Sequence, residues 1–302
     1  MTSRKAPRAR KPQDKGPKPP FPAKKLAKPG IESKMTPRPR YKAPDYQASE
    51  KLLDKVAIIT GGDSGIGRSV AVLYAREGAD VVITGLPAER SDSEETKRAV
   101  EAEGRRCLIL EGDLADQKFC KRIVKRTVDT FGHLDVLVHN AAHQNHWDAL
   151  EDVPDDEWDR TFRVNVYAYF WLVKAALPHL KPGASIIASG SQTGIAGSGK
   201  LPAYSTTKGA IHTFTKTLSQ LLLERGIRVN CVAPGPVWTP LNPADTGRTP
   251  EDVARFGKKA PIGRPAQPEE IAPSYVFLAS ESDSSYISGE IVNVLGGTTT
   301  AG

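Results

Sequence analysis

Val56-Ala57-Ile58-Ile59-Thr60-Gly61-Gly62-Asp63-Ser64-Gly65-Ile66-Gly67-Arg68 is the stretch that decides the fold of this chain. A short apolar run with β-branched residues reads as a buried strand, and the glycines after it force a sharp turn into a helix. Gly61 supplies the turn, Gly65 clears a side chain from the path of a phosphate, and Gly67 lets the helix pack on the strand. The helix N-terminus then offers unpaired N–H groups and partial positive charge to an anion. Asp63, Ser64 and Ile66 lie in the same turn and share its candidacy as dinucleotide contacts. The spacing is G-x-x-x-G-x-G rather than G-x-G-x-x-G.

Outward from this turn, strands alternate with helices. Val81–Thr84, Cys107–Leu110, Val136–His139, Ser185–Ala188, Val229–Val232 and Ile291–Val294 read as further strands. Helices are expected near 65–77, 94–103, 117–131, 155–180, 203–225 and 268–279. Seven strands with crossover helices predict an α/β fold, a doubly wound parallel sheet with ligands at the carboxyl ends of its strands. The domain is assigned to residues 51–302.

Ahead of it, residues 1–44 hold fourteen Lys/Arg against Asp14 and Glu32, a charge of +12, with ten prolines. The whole chain carries +7, so the remainder is mildly acidic. Such a proline-rich basic segment buries too little apolar surface to offset its ordering entropy, and residues 1–34 are expected to be disordered. Residues 35–50 are expected to lie across the domain surface. A solubilising tail is the favoured role, a nucleic-acid or membrane contact the alternative, and deleting 1–34 is expected to leave turnover intact. No apolar run reaches the length of a membrane span. Three widely spaced cysteines suggest reduced core thiols and a cytoplasmic location.

The chemistry is expected from Ser191, Tyr204 and Lys208. Tyr204 and Lys208 stand one helical turn apart and share a face, while Ser191 follows a strand thirteen residues before the tyrosine. With eight tyrosines in the chain, the pair alone carries little weight. Its weight comes from the order: glycine turn, Asn140-Ala141, Asn165, Ser191, Tyr204, Lys208, then Pro234-Gly235. A tyrosine that exchanges a proton near neutral pH must fall well below its ordinary value of about 10. An ammonium at about 5 Å and an effective dielectric near 20 supplies roughly 3 kcal/mol toward that. Gln144, His146 and Trp238 are expected in the substrate pocket, and residues 238–266 are expected to form a lid. His139, His143, His146 and Asp148 also admit a metal reading, which is set aside because they occupy the loop after the fourth strand.

These motifs resemble the short-chain dehydrogenase/reductase family over roughly residues 52–297. The nearest branch comprises bacterial and plant-seed oxidoreductases with a "GGDSGIGR" loop, including general stress proteins and glucose-ribitol dehydrogenase-like enzymes. The resemblance implies that Asp113, with Leu114, holds the adenine end, and that Asn140-Ala141 stabilises the central strand beside the cofactor. It implies that Pro234-Gly235, Val237 and Thr239 hold the nicotinamide, and that Asn165 is the fourth catalytic residue. It also implies a homotetramer built partly from the helices at 155–180 and 203–225. His139 departs from the family's asparagine. Gly85 at the end of the second strand carries no acid to repel a 2′-phosphate, so NADP(H) is favoured over NAD(H). The expected function is hydride transfer between a nicotinamide and a small carbonyl or alcohol. The alternative is a cofactor-binding stress sensor whose extension docks a partner.

Overall fold

The computed structural model describes residues 11–299. Seven parallel strands form one sheet in the order β3-β2-β1-β4-β5-β6-β7. They are β1 Val56–Ile59, β2 Asp80–Gly85, β3 Cys107–Glu111, β4 Val136–His139, β5 Ser185–Ser189, β6 Arg228–Pro234 and β7 Ile291–Val294. Every residue of β1, β2, β4, β5 and β6 is buried, as expected of strands covered on both faces by helices. One apolar cluster on the sheet includes Ile59, Val70, Leu73, Val138, Ile271 and Tyr275. A second includes Ile58, Ile123, Leu137, Leu172, Ile186 and Ile211. The order reverses between β1 and β4, and this switch point opens the crevice that ligands use in such sheets.

The helix expected over 155–180 is not continuous. Asp155–Phe162 and Ala168–Ala176 are joined by a π-helical turn, Arg163–Tyr167, with Asn165 inside it. A π turn breaks the regular i→i−4 ladder locally, which releases carbonyls for other partners. Here the Asn165 carbonyl accepts from His139 Nε2 at 2.9 Å.

The largest departure is the extension. Residues 1–10 lie outside the described residues, but 11–34, expected to be disordered, are placed against the domain. Phe21 is 5 % exposed and stacks on Trp238 at 4.2 Å, within a satellite cluster that includes Met35, Val253 and Phe256. Backbone bonds join Phe21 N to the Ala254 carbonyl and Leu26 N to the Pro243 carbonyl. Glu32 is fully buried, pairing with Arg68 at 2.6 Å. A few apolar anchors and one buried ion pair order the segment without a core of its own. Beyond it, residues 35–50 also contact the domain: Trp238 Nε1 donates to the Pro37 carbonyl, and Ala43 N donates to Glu269.

Candidate active site

A cleft of about 580 Å³ opens along the carboxyl ends of β1, β2, β4, β5 and β6. Its floor is the turn after β1. An added Cβ at Gly67 would lie 2.0 Å from the Gly61 carbonyl oxygen, so the helix Gly65–Arg76 approaches the strand too closely for any side chain. Gly65 has φ +53°, and its Cβ would meet Thr239 Cγ2 at 2.9 Å. Gly61, Asp63, Ser64, Gly65 and Ile66 line the cleft, while Gly67 is buried behind it as a packing residue.

Asn140 braces this floor. Its Nδ2 donates to the Thr60 and Gly61 carbonyls at 3.0 and 3.3 Å, and its Oδ1 accepts from Ser189 at 3.1 Å. Thr60 Oγ1 in turn accepts from the Asn140 and Ala141 amides. The ends of β1, β4 and β5 are thereby tied together. Asp113 and Leu114 line the cleft beyond β3, with Asp113 Oδ2 accepting from Arg160 at 2.6 Å. Pro234, Gly235, Val237 and Thr239 line it after β6, the Gly235 amide being held by the Val294 carbonyl at 3.0 Å.

Ser191, Tyr204 and Lys208 converge on the same cleft. Tyr204 and Lys208 sit on the helix Pro202–Leu222, and the Lys208 ammonium lies 5.3 Å from the centre of the Tyr204 ring. Lys208 Nζ donates to the Ser189 carbonyl at 2.6 Å. Ser191 Oγ accepts from both Thr193 N and Thr193 Oγ1 at 3.1 Å, which leaves its own proton for another acceptor. Asn165 stands behind the cleft, its amide bridging the His143 carbonyl and Thr207 Oγ1. It positions neighbours and does not line the cleft.

Burial dominates the ionisation of this group. It pushes Tyr204 up to about 12, a rise that the Ser191 hydrogen bond opposes. It pulls Lys208 down to about 8. The expected drop of the phenol is therefore not present in the protein by itself: desolvation of the phenolate outweighs the help it receives.

Two residues expected in the pocket are elsewhere. Trp238 faces the extension, stacked on Phe21. His146 is turned to Asp245 at 2.5 Å and fastens the lid region to the loop after β4. Gln144 does line the cleft, and its Nε2 donates to Asp245 at 3.0 Å. The histidines do not gather: His139 bonds to Asn165, His143 to Glu157 and His146 to Asp245, while Asp148 pairs with Lys200. His139, the departure from asparagine, stacks on Tyr169 at 5.0 Å, and burial lowers it to about 3.

Several cleft residues were not expected from the sequence. Lys28, Pro29 and Gly30 of the extension form part of the wall, and Arg248 of the lid region another part. Glu32 Oε2 accepts from the Gly65 amide at 2.6 Å, in the glycine turn itself. Asp63 and Glu89 both line the end of the cleft near β2, and burial beside each other holds both above the usual carboxylate range. Asp63 Oδ2 is buried with no protein partner. A ribose hydroxyl would satisfy it, and the glycine turn admits a pyrophosphate, so the residues fit a dinucleotide.

A doubly wound sheet with a glycine-turn cradle and a serine, tyrosine and lysine at one cleft defines a dinucleotide-dependent oxidoreductase. Residues 61–299 match a family model described as enoyl-(acyl carrier protein) reductase. The chain is 49 % identical to General stress protein 39 of Bacillus subtilis over 269 residues, covering 89 % of this chain and 93 % of that protein. It is 44 % identical to NADPH-dependent aldehyde reductase 1, chloroplastic, of Arabidopsis thaliana, covering 91 % and 96 %. A Burkholderia cenocepacia short-chain dehydrogenase solved in complex with NADP superposes with a TM-score of 0.75 at 31 % identity, covering 82 % of this chain and 98 % of that one. The chain belongs to the short-chain dehydrogenase/reductase family and is an NAD(P)(H)-dependent oxidoreductase. No helix among the described residues is long and apolar enough to cross a membrane.

Proposed function

We propose that the protein interconverts a small aldehyde, ketone or sugar-like polyol with its partner alcohol or carbonyl, Tyr204 serving as general acid and base. The observation that carries this reading is the convergence of Ser191, Tyr204 and Lys208 on the cleft that the glycine turn floors. A nicotinamide dinucleotide bound there supplies or accepts the hydride. Ser191, with two donors already turned on its oxygen, directs its proton at the substrate oxygen and holds it beside Tyr204. Tyr204 gives that oxygen a proton in reduction and takes one in oxidation. Lys208, anchored on the Ser189 carbonyl, places a positive charge against the Tyr204 ring and favours the phenolate that proton loss creates. Asn165 holds the π turn, His143 and Thr207 in register behind this group.

Gly61, Asp63, Ser64, Gly65, Ile66, Asp113, Leu114, Asn140, Ala141, Pro234, Gly235, Val237 and Thr239 would hold the cofactor, with Gly67 packing beneath it. NADP(H) is the proposed preference. Gly85 and Leu86 place no acid at the end of β2, and an Arabidopsis relative is named as NADPH-dependent. The raised Glu89 carboxyl, its Oε2 accepting from the Leu86 amide, tempers repulsion of a 2′-phosphate. A homotetramer is proposed as well, supported by exposed Tyr167 and Phe170 beside the π turn and by exposed Leu221 and Leu223 at the end of the long helix. NADPH oxidation across a carbonyl and polyol panel tests the function. Turnover that Tyr204→Phe removes is expected, and a wild-type protein that binds NADPH but turns over nothing would defeat it.

A further inference from the structure

We propose that the extension and the lid build an anion subsite at the substrate end of the cleft, from Lys28 and Arg248. The preferred substrates would then carry a carboxylate or phosphate a few bonds from the reacting carbon. This inference rests on the oxidoreductase reading above.

Lys28 and Arg248 both line the cleft, one from a segment far from the domain in sequence, the other from the lid region. They belong to the half of the site that follows β4 and β6, whereas the Asp63 and Glu89 carboxyls lie at the β1 and β2 end. Lys28 Nζ spends one donor on the Gln144 carbonyl at 2.9 Å and keeps two. Arg248 lies with its guanidinium carbon 5.1 Å from the centre of the Phe256 ring. Its Nε is buried without a partner, and among the described residues the side chain makes no hydrogen bond or ion pair.

Burial lowers the pKa of both cations, and the nearby carboxylates oppose that shift. Asp245, Glu157 and Asp252 face these cations, and Arg160 adds a further positive charge. Asp245 is spent on Gln144 Nε2, His146 N, His146 Nδ1 and Gly247 N. Glu157 is spent on His143 and Asn145, and Asp252 on its own helix cap at Thr249. None hydrogen-bonds to Lys28 or Arg248. Arg248 is half-buried, with Nε sealed off without an acceptor while the end of the fork faces the cleft, and a planar anion accepting two of its donors would offset the cost of that sealed donor.

The strap that delivers Lys28 is fixed on the lid. An added Cβ at Gly30 would meet Ala244 Cβ at 2.8 Å and the Pro240 carbonyl at 3.0 Å, and Lys25 Nζ donates to the Thr246 carbonyl at 2.8 Å. The two cations therefore ride on one packed unit.

The test compares kcat/KM for matched aldehydes with the full-length protein and NADPH. One pair is butanal and 4-oxobutanoate, the other glyceraldehyde and glyceraldehyde 3-phosphate. A charged hydrogen bond of ordinary strength predicts about a tenfold or larger preference for the anionic member of at least one pair. Which pair shows it tells carboxylate from phosphate. Arg248→Met and Lys28→Met should each pull that ratio toward one, and added salt should lower it in the wild type. Arg248→Lys, which keeps the charge without the fork, should retain part of it, and serves where Arg248→Met does not fold. Equal turnover of anionic and neutral members by the wild type overturns the subsite and leaves the oxidoreductase reading standing. A preference that survives both methionine variants overturns it likewise. No turnover of any aldehyde by NADPH-bound protein removes both.

Discussion

Phe21→Ala should loosen the extension without unfolding the domain. The Phe21 ring is 5 % exposed, stacked on Trp238, with Met35, Val253 and Phe256 completing the cluster. Truncating a phenylalanine in a full core costs roughly 3–5 kcal/mol. This cluster is small and one wall of it is the strap itself, so the loss is capped by the free energy that holds the strap down. We put that loss at about 2 kcal/mol, which multiplies the detached population roughly thirtyfold. Lys24 is exposed already, but detachment frees the backbone around Lys24 and Lys25 to enter a protease, breaking the Lys25 bond to the Thr246 carbonyl and the Leu26 amide bond to the Pro243 carbonyl. The assay is tryptic cleavage after Lys24 and Lys25, read by mass, with hydrogen exchange at Leu26 as a second probe. The variant should be cut at a rate tens of times that of the wild type, while the domain beyond residue 50 stays protected. Equal cleavage of the two proteins would refute the packing argument. The same reasoning reverses the expectation that residues 1–34 are dispensable: deleting them removes Lys28 from the cleft wall and strips Glu32 from the buried Arg68. Arg68 keeps Asp92, Glu95 and the Asp63 and Asp92 carbonyls, so the cost falls below the about 3–5 kcal/mol of a buried charge left wholly uncompensated.

Gly67→Ala should weaken NADPH binding by about tenfold or more, measured by fluorescence titration, because the new methyl would force the helix off the Gly61 carbonyl. Lys208→Met should abolish turnover yet raise the melting temperature at pH 7. Burial lowers the Lys208 pKa from 10.5 to about 8, so the folded state pays for the charged form below pH 8. The wild type accordingly gains stability as pH rises from 8 toward 10.5, and the advantage of the variant, on the order of 2 kcal/mol at neutrality, should shrink over that window. The NADPH-to-NADH affinity ratio should fall as pH rises from 6 to 8, because Asp63 and Glu89, both raised, gain charge across that range at the end of the cleft that would hold a 2′-phosphate. Glu89→Gln should flatten that dependence in isothermal titrations.

Much of this was legible in the residues. Val56–Ile59 and Val136–His139 are uninterrupted apolar runs because both faces of a parallel sheet are covered, and such runs announce themselves. The glycine turn was legible because close backbone approach leaves glycine as the one residue that fits. The π turn was not: Val164, Asn165, Val166 and Tyr167 are weak helix formers but mark no particular irregularity, and the Asn165 carbonyl's partner, His139, lies far away in sequence. The placement of residues 11–34 was not legible for a related reason. Its charge and proline content speak for the unfolded chain, whereas Phe21, Met35 and Glu32 find partners on elements more than thirty residues away. Trp238 followed from that: with no strap to pack on, a buried tryptophan after β6 pointed to the pocket.

The proposed mechanism stands on Tyr204 moving the proton in a dinucleotide-dependent redox reaction. Stopped-flow measurement of NADPH consumption with a turned-over aldehyde, comparing the wild type with Tyr204→Phe, tests it most directly. The variant is expected to bind NADPH with near wild-type affinity and to lose at least about a thousandfold in turnover, the size of a lost general acid. A variant that keeps wild-type turnover would contradict it.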